Sequence, residues 1–348
     1  MLQIIKKGYL NDCDVAEWKL LWDTVKSATF FNSYNWYNAC VHSMFPNIIV
    51  WFVYQDDRLI AVLPLEPMRS WLIPCLMTYG QPYSSKSTIL IREDYTAMLP
   101  QILKQLGESK LVVLNEIEES QCSDFISYVL HETASVSPYV NLKQDIYQQV
   151  KKQEWNYISK KAYKSDYQFI VYHAENAYQR VNTIWEIEQR SNKPKRSRNI
   201  FTTKAVKDFY RQISATPEAT LAVLQDGDKA IACLFGFYVK GNNFLVDYMS
   251  YDEAYKRNTP GKLVIVLLLR YLMEHGCVKF DFSRGETIIK KHYSTYRENN
   301  YTLFCNVRKW QLNWLKLCLW LKHCYYYQRR FLKKIGINIK FLNKILKQ

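Results

Sequence analysis

Two adjoining segments carry most of the groups that could do chemistry. The first, YKRNTPGKLVIVLLLRYLMEHG (residues 255–276), opens with Lys256, Arg257 and Asn258. Thr259 is placed to N-cap a helix, Pro260 fits its first position and Gly276 closes it. Gly261 has no side chain to keep a ligand off the backbone, and Lys262 adds a positive charge. Free N–H groups at a helix start, flanked by cations, form a phosphate or diphosphate site. A well-capped core helix with a basic loop in front of it would use the same residues. The chain contains neither GxGxxG nor a Walker P-loop pattern, so neither a Rossmann dinucleotide site nor a P-loop is supported.

The second segment, VKFDFSRGETIIKKHY (278–293), sets Asp281 in an otherwise apolar strand. Arg284, Gly285, Glu286, Lys290, Lys291, His292 and Tyr293 follow at once. Ionisable groups gathered at the C-terminal end of a strand mark where an α/β sheet places its site. Taken singly, each has a plainer reading: Asp281 as a buried cap or a partner of Arg284, Lys290 and Lys291 as solvated surface. His292 reads as surface, and no Cys–His or Ser–His pair stands out.

Positioning these segments requires a scaffold, and the sequence suggests a duplicated one. Residues 48–65, IIVWFVYQDDRLIAVLPL, resemble residues 220–237, TLAVLQDGDKAIACLFGF. Each is a β-rich run, a turn opening with Gln-Asp, and a second run containing Ile-Ala; Asp226-Gly227 is a strong hairpin signal. After the first hairpin the pattern predicts a strand over 72–79, a helix over 94–107 and a strand over 110–117. After the second it predicts strands over 244–251 and 278–282 around a helix over 260–275. Helices are expected at 35–44, 177–190 and 203–213. The fold class is therefore α/β with mixed, mostly antiparallel sheets covered by helices. The expected division is 1–148, 149–312 and a tail, 313–348.

Length and charge agree with this. At roughly 100–200 residues per domain, 348 residues favour two domains, with three as the alternative. The formal net charge of +15 favours an anionic partner. After Glu298 there is no acid, and Trp310, Trp314, Trp320, Tyr325, Tyr326 and Tyr327 are interleaved with cations. Phe331, Ile335, Ile339, Leu342 and Leu346 recur at helical spacing. This tail reads as a helical pair packed on the body, as a surface helix on anionic lipid, or as a nucleic-acid contact. The nine Cys form no CxxC pair and fit reduced core residues. No signal-peptide core or bilayer-length apolar run is present, so the expected location is cytoplasmic, with peripheral attachment at the inner face of the membrane as an alternative.

The stretch 251–293 resembles the acetyltransferase domain of the BioF2-like and CelD-like families, in the GNAT superfamily and related to the FemAB aminoacyltransferases. The matching residues are Pro260-Gly261, Gly276, Asp281-Phe282-Ser283-Arg284-Gly285, Glu286 and Lys290. Thr287 and Ile289 depart from the family's second acid and tyrosine. Phe31-Asn32-Ser33-Tyr34-Asn35-Trp36 is similar to an early family segment. The resemblance implies tandem GNAT-like domains, with the C-terminal helix returning to the first.

It also implies acyl transfer from acetyl-CoA or another acyl-CoA to an amine, with no metal. The expected acceptor is an amino sugar or another cell-envelope or polysaccharide precursor. Donor binding falls to Met249, Ser250, Tyr251, Arg257, Asn258, Thr259, Pro260, Gly261 and Lys262. Glu286 or Asp281 would act as base and Tyr293, or less specifically Tyr296, as acid. Trp36, Arg284 and Lys290 would meet the acceptor. The first half, with Tyr79-Gly80-Gln81-Pro82-Tyr83 in place of a Pro-Gly helix entry, is expected to have lost the donor and to shape the acceptor cleft. The basic loop 192–199 is either a flap over an anionic group or plain surface. The alternatives are a FemAB-like transferase using charged tRNA and a non-catalytic membrane- or RNA-binding protein.

Overall fold

The computed structural model describes all residues except 88, 108–109, 123–129, 143–155, 162–165, 197–198, 241 and 335–348. The first half contributes β1 (Leu2–Lys7), α1 (Asp12–Thr24), α2 (Tyr34–Ser43), β2 (Ile49–Gln55), β3 (Arg58–Ser70) and β4 (Ile73–Thr78). It continues with β5 (Leu90–Ile91), α3 (Leu99–Gly107), β6 (Leu111–Glu118), α4 (Glu119–Cys122) and β7 (Leu130–Asn141). The second half contributes β8 (Gln168–His173), α5 (Ala174–Arg180), α6 (Asn182–Arg190), α7 (Lys204–Ser214), β9 (Ala219–Asp226), β10 (Lys229–Val239) and β11 (Asn243–Tyr251). It ends with α8 (Pro260–Glu274), β12 (Lys279–Asp281), α9 (Ile288–Tyr293), β13 (Tyr296–Cys305) and α10 (Lys309–Lys334).

All the described strands join one sheet, in the order β1-β2-β3-β4-β6-β13-β7-β12-β11-β10-β9-β8, with β5 on β3. The order is mirrored about its centre. The hairpin β2–β3 corresponds to β9–β10, and β4 to β11. Two parallel pairs, β4–β6 and β11–β12, correspond likewise; the other described pairings are antiparallel. The repeat seen in the sequence is thus a repeat of topology. At the centre the halves exchange strands: β7 pairs with β12, β13 with β6, and the two pair with each other. The expected boundary at 148/149 lies outside the described residues.

One core cluster is shared by both halves. Phe30 stacks on Phe237 with centroids 3.9 Å apart, and Trp36 meets Phe209 edge-on at 5.1 Å. On the opposite face, α8 buries Leu263, Val264, Val266, Leu268, Leu269 and Leu272 against the second half's strands. Such an all-round apolar helix has to be buried. α10 returns to the first half, where Leu315 and Leu319 pack with Ile73, Cys75, Leu111 and Val113 on β4 and β6. The Ile335, Ile339, Leu342 and Leu346 stripe lies outside the described residues. No helix among the described residues is long and apolar enough to cross a membrane.

Candidate active site

The site begins where two strands part. β11 pairs with β12 only at Asn243–Lys279, Phe244–Phe280 and Leu245–Asp281. Beyond Leu245 it runs on to Tyr251 without that neighbour. At the same point its register with β10 jumps from Gly236–Val246 to Phe235–Tyr248, leaving Asp247 as an extra residue. Such a bulge bends the strand and re-aims a side chain. Gly236 makes it possible, because a Cβ there would lie 2.3 Å from the Leu245 carbonyl oxygen.

Asp247 faces a cavity of about 520 Å³ between the halves. β11 forms one wall with Val246, Asp247, Tyr248 and Met249, and Phe282 to Arg284 and Lys290 form another. Pro82, Tyr83 and Ser85 close it from the first half. The Tyr210 hydroxyl donates to Asp247 Oδ2 at 2.6 Å. The surrounding protein desolvates Asp247 and pushes its pKa up to about 6, against the pull of that hydrogen bond and of Arg284.

Two lysines share the cavity. Lys193 Nζ donates to the Met249 carbonyl at 2.7 Å and lies 3.7 Å from the Tyr248 ring centroid. Lys290 Nζ donates to the carbonyls of Ser283 and Arg284 at 3.1 and 2.7 Å. Among the described residues neither has a carboxylate partner. Burial pushes Lys193 down to about 8, opposed by Cys233 and Glu188. It does the same to Lys290, opposed by Asp281 and assisted by Arg284. Arg284 is committed to the first half: it donates to Gln81 Oε1 at 2.8 Å, to Glu116 Oε1 at 3.3 Å and to the Pro82 carbonyl.

The structure gathers only some of the sequence candidates. Met249, Arg284 and Lys290 line the cavity; Glu286, Asp281, Tyr293 and Trp36 do not. Asp281 turns away into a buried ion cluster, 2.7 Å from Lys86 and 3.7 Å from Lys279, and accepts the Ser283 N–H at 2.8 Å. Burial alone would raise its pKa, but the charges of Lys86 and Lys279 and these hydrogen bonds hold it low. Glu286 sits outside, where Lys291 at 2.7 Å and Arg297 at 3.1 Å keep its carboxyl below the usual range. Tyr293 is fully buried under α8. Trp36 is also fully buried; its indole lies 3.1 Å from where a Gly80 Cβ would stand, and it packs the two halves together rather than facing a ligand. Tyr296 is exposed and stacks on Tyr139.

The corner expected to hold phosphate lies at the start of α8, with Pro260 at the first position and Gly276 closing the end at φ 74°. Thr259 differs from expectation. Its φ is 55°, its side chain makes no capping bond, and its Oγ1 is buried with no hydrogen-bond partner among the described residues. Gly261 packs under Tyr251, whose ring would be 3.1 Å from an added Cβ. Ser250 is buried, Arg257 is exposed with its carbonyl accepting from Lys161 at 3.3 Å, and Asn258 donates to the Tyr167 hydroxyl. α8 reaches the cavity through Ile265.

The equivalent parting of β4 and β6 in the first half is filled. Ser84 to Ser87 are buried, and Ser87 N–H bonds to the Glu116 carbonyl at 2.9 Å. Only about 30 Å³ remains between Phe31, Thr78, Leu114 and their neighbours. The loop that fills it also supplies Pro82, Tyr83 and Ser85 to the other half's cavity. Asp247 was missed in the sequence reading because FLVDYMSY reads as an ordinary strand. Its signal was an acid among apolar residues opposite a glycine in the facing strand. Lys193 had a signal in the basic loop 192–199 but not its direction.

Residues 156–293 match the family model described as an acetyltransferase (GNAT) domain. No curated protein sequence matches the chain. Among solved structures, FemX shares 9% identity over 89% of this chain and 99% of its own, with a TM-score of 0.65. A C-terminal domain ascribed to a lysylphosphatidylglycerol synthetase from Agrobacterium fabrum shares 13% over 85% and 92%, with a TM-score of 0.56. A tandem GNAT protein from the clavulanic acid biosynthesis pathway shares 11% over 89% and 100%, with a TM-score of 0.50. At these identities the likeness is one of fold, and it is the fold built here from two mirrored units. Residues 156–293 thus carry a GNAT acetyltransferase domain, and the chain as a whole has the tandem GNAT-like fold that these solved structures share.

Proposed function

We propose that the cavity beside β11 transfers an acyl group, acetyl by default, from coenzyme A to the amine of an acceptor that also carries an anionic group. An amino sugar or another cell-envelope precursor has that chemistry. The observation that carries this reading is the bulge that turns Asp247 into a cavity opened by the parting of β11 from β12.

The start of α8 suits the donor's diphosphate. Lys262 and Leu263 N–H already share the Thr259 carbonyl at 3.0 and 3.1 Å, so what this end offers a diphosphate is its positive dipole, the flanking Arg257 and Lys262, and the buried Thr259 Oγ1, which lacks a partner among the described residues. Coenzyme A would supply an acyl carbon activated as a thioester. Asp247, half ionised near pH 6 and steadied by Tyr210, takes one proton from the acceptor's ammonium so that the free amine can attack the acyl carbon. As the C–N bond forms and the C–S bond breaks, the second proton shed by that nitrogen would leave with the departing sulfur as the thiol. N–H groups on the free stretch of β11 around Met249 to Tyr251 face the carbonyl oxygen as charge develops. Lys193 and Lys290, two partly buried ammoniums with no carboxylate partner among the described residues, receive the acceptor's anionic group.

A second reading keeps the site and changes the donor to a charged tRNA; the net charge of +15 and the fold shared with FemX favour it. Calorimetry separates the two. Heat on adding acetyl-CoA, abolished by Gly261→Trp, is the expected result. Heat with charged tRNA, steeply weakened by salt, together with none from acetyl-CoA, would replace the first reading by the second.

A further inference from the structure

Trp71 and Leu72 close the β3–β4 hairpin, and both have left-handed backbones, with φ of 50° and 70°. Turns of this kind are normally built from Asn-Gly, because a large side chain is strained at positive φ. Here the strained positions hold a tryptophan and a leucine, 40% and 78% exposed. Strain kept at an exposed turn points to a role for what it displays.

α10 lies alongside. One face of it packs on β4 and β6 through Leu315 and Leu319. A second face carries Trp310, Trp314, Leu317 and Leu321 at helical spacing, each at least 40% exposed. Trp320, 60% exposed, stands next to it. Trp314 Nε1 donates to the Trp71 carbonyl at 2.9 Å, tying turn and helix into one surface, and a groove of about 520 Å³ runs between them. Monomeric proteins seldom expose contiguous apolar surface of this kind without a partner.

The surrounding charge identifies the partner. From Lys309 to Lys334 the sequence holds seven Lys and Arg and no Asp or Glu. Leucines mixed with tryptophans bury best in the acyl boundary, where indole N–H groups stay near polar headgroups and lysines reach anionic ones. A nucleic-acid surface would offer stacking for the rings but no apolar phase for Leu72, Leu317 and Leu321. We propose that the Trp71–Leu72 turn and the outer face of α10 form a docking surface for an anionic lipid bilayer. The surface is separate from the cavity and does not depend on which donor the cavity takes.

Vesicle sedimentation of the full chain tests this, with Leu72→Asp/Leu321→Asp as the variant. Both leucines are exposed, so the fold is expected to survive, and the melting temperature checks it. The wild type should bind phosphatidylglycerol-containing vesicles more tightly than pure phosphatidylcholine vesicles, and less tightly as salt rises. The double variant should lose at least about tenfold in affinity, the scale of withdrawing one leucine from an apolar phase. Equal binding to both vesicle types overturns the proposal. So does undiminished binding by a folded variant, or binding only to a control RNA. If the variant unfolds, Trp320→Ser is measured instead against the same outcomes.

Discussion

Lys86 Nζ lies 2.7 Å from the Asp281 carboxylate, joining a buried loop of the first half to the last residue of β12 in the second. Glu118 and Glu298 approach the same ammonium, and Lys279 closes the cluster. The loop that occupies the first half's cleft is thus pinned beside the second half's open one.

Removing Lys86 leaves three carboxylates gathered in a buried place. Lys86→Met should therefore cost about 3–5 kcal/mol of stability, as for other broken buried ion pairs. Burial opposes the charge on Lys86, but Asp281, Glu118 and Glu298 raise its pKa above the ordinary lysine value. Its contribution is complete below that ordinary value and is lost as pH rises through the folded one. Asp281 is held low, so its contribution is present above the ordinary aspartate value and is lost as pH falls through the folded one. Urea unfolding of both proteins at neutral pH gives the difference; equal stabilities would refute the coupling.

Asp247→Asn should retain the fold and the donor affinity while lowering turnover by about 10²–10⁴-fold. The wild-type rate should climb as pH rises through about 6, where Asp247 loses its proton, and the variant should lack that limb. A variant within a fewfold of wild type means that Asp247 is not the base.

Lys290→Gln should raise KM for an anionic amine by about tenfold or more, the scale of one charge-assisted hydrogen bond, with a smaller effect on a neutral amine. For the wild type, KM for the anionic amine should rise as pH passes about 8, where Lys193 and Lys290 lose their charge. Identical losses with charged and neutral amines would remove the anion-binding role.

Gly236→Ala places a carbon against the Leu245 carbonyl, at a position where backbone rather than a flexible side chain must give way. The expected cost is about 1–3 kcal/mol, together with lower activity as the bulge shifts. Circular dichroism melts and a rate assay on the same preparation read both; full activity at unchanged stability would show that the bulge tolerates a side chain.

Much of the fold was legible because hairpins and capped helices are local. Gln55-Asp56 and Gln225-Asp226 open turns at mirrored places, and Pro260 and Gly276 bracket α8. The helix expected at 177–190 is two, α5 and α6, parted at Val181. The exchange of β7 and β13 was not legible, since pairings between residues some 160 positions apart, such as Asn300 with Ser135, leave no local period. At the site, the motif around Asp281 lies beside the cavity, to which it contributes Phe282 to Arg284 and Lys290. A strand's alternation then decided which side each group took. Asp281 fell on the ion-cluster side, and the bulge that turns Asp247 inward is a register event no propensity encodes.

The crossed centre of the sheet has a consequence for how the two units can be handled. A cut through the connection between them would give two fragments, each holding the strand its counterpart needs beside β6 or β12. Neither piece is a self-sufficient module. They should become ordered only when mixed, so a repeat crossed in this way cannot be separated by pulling its two units apart.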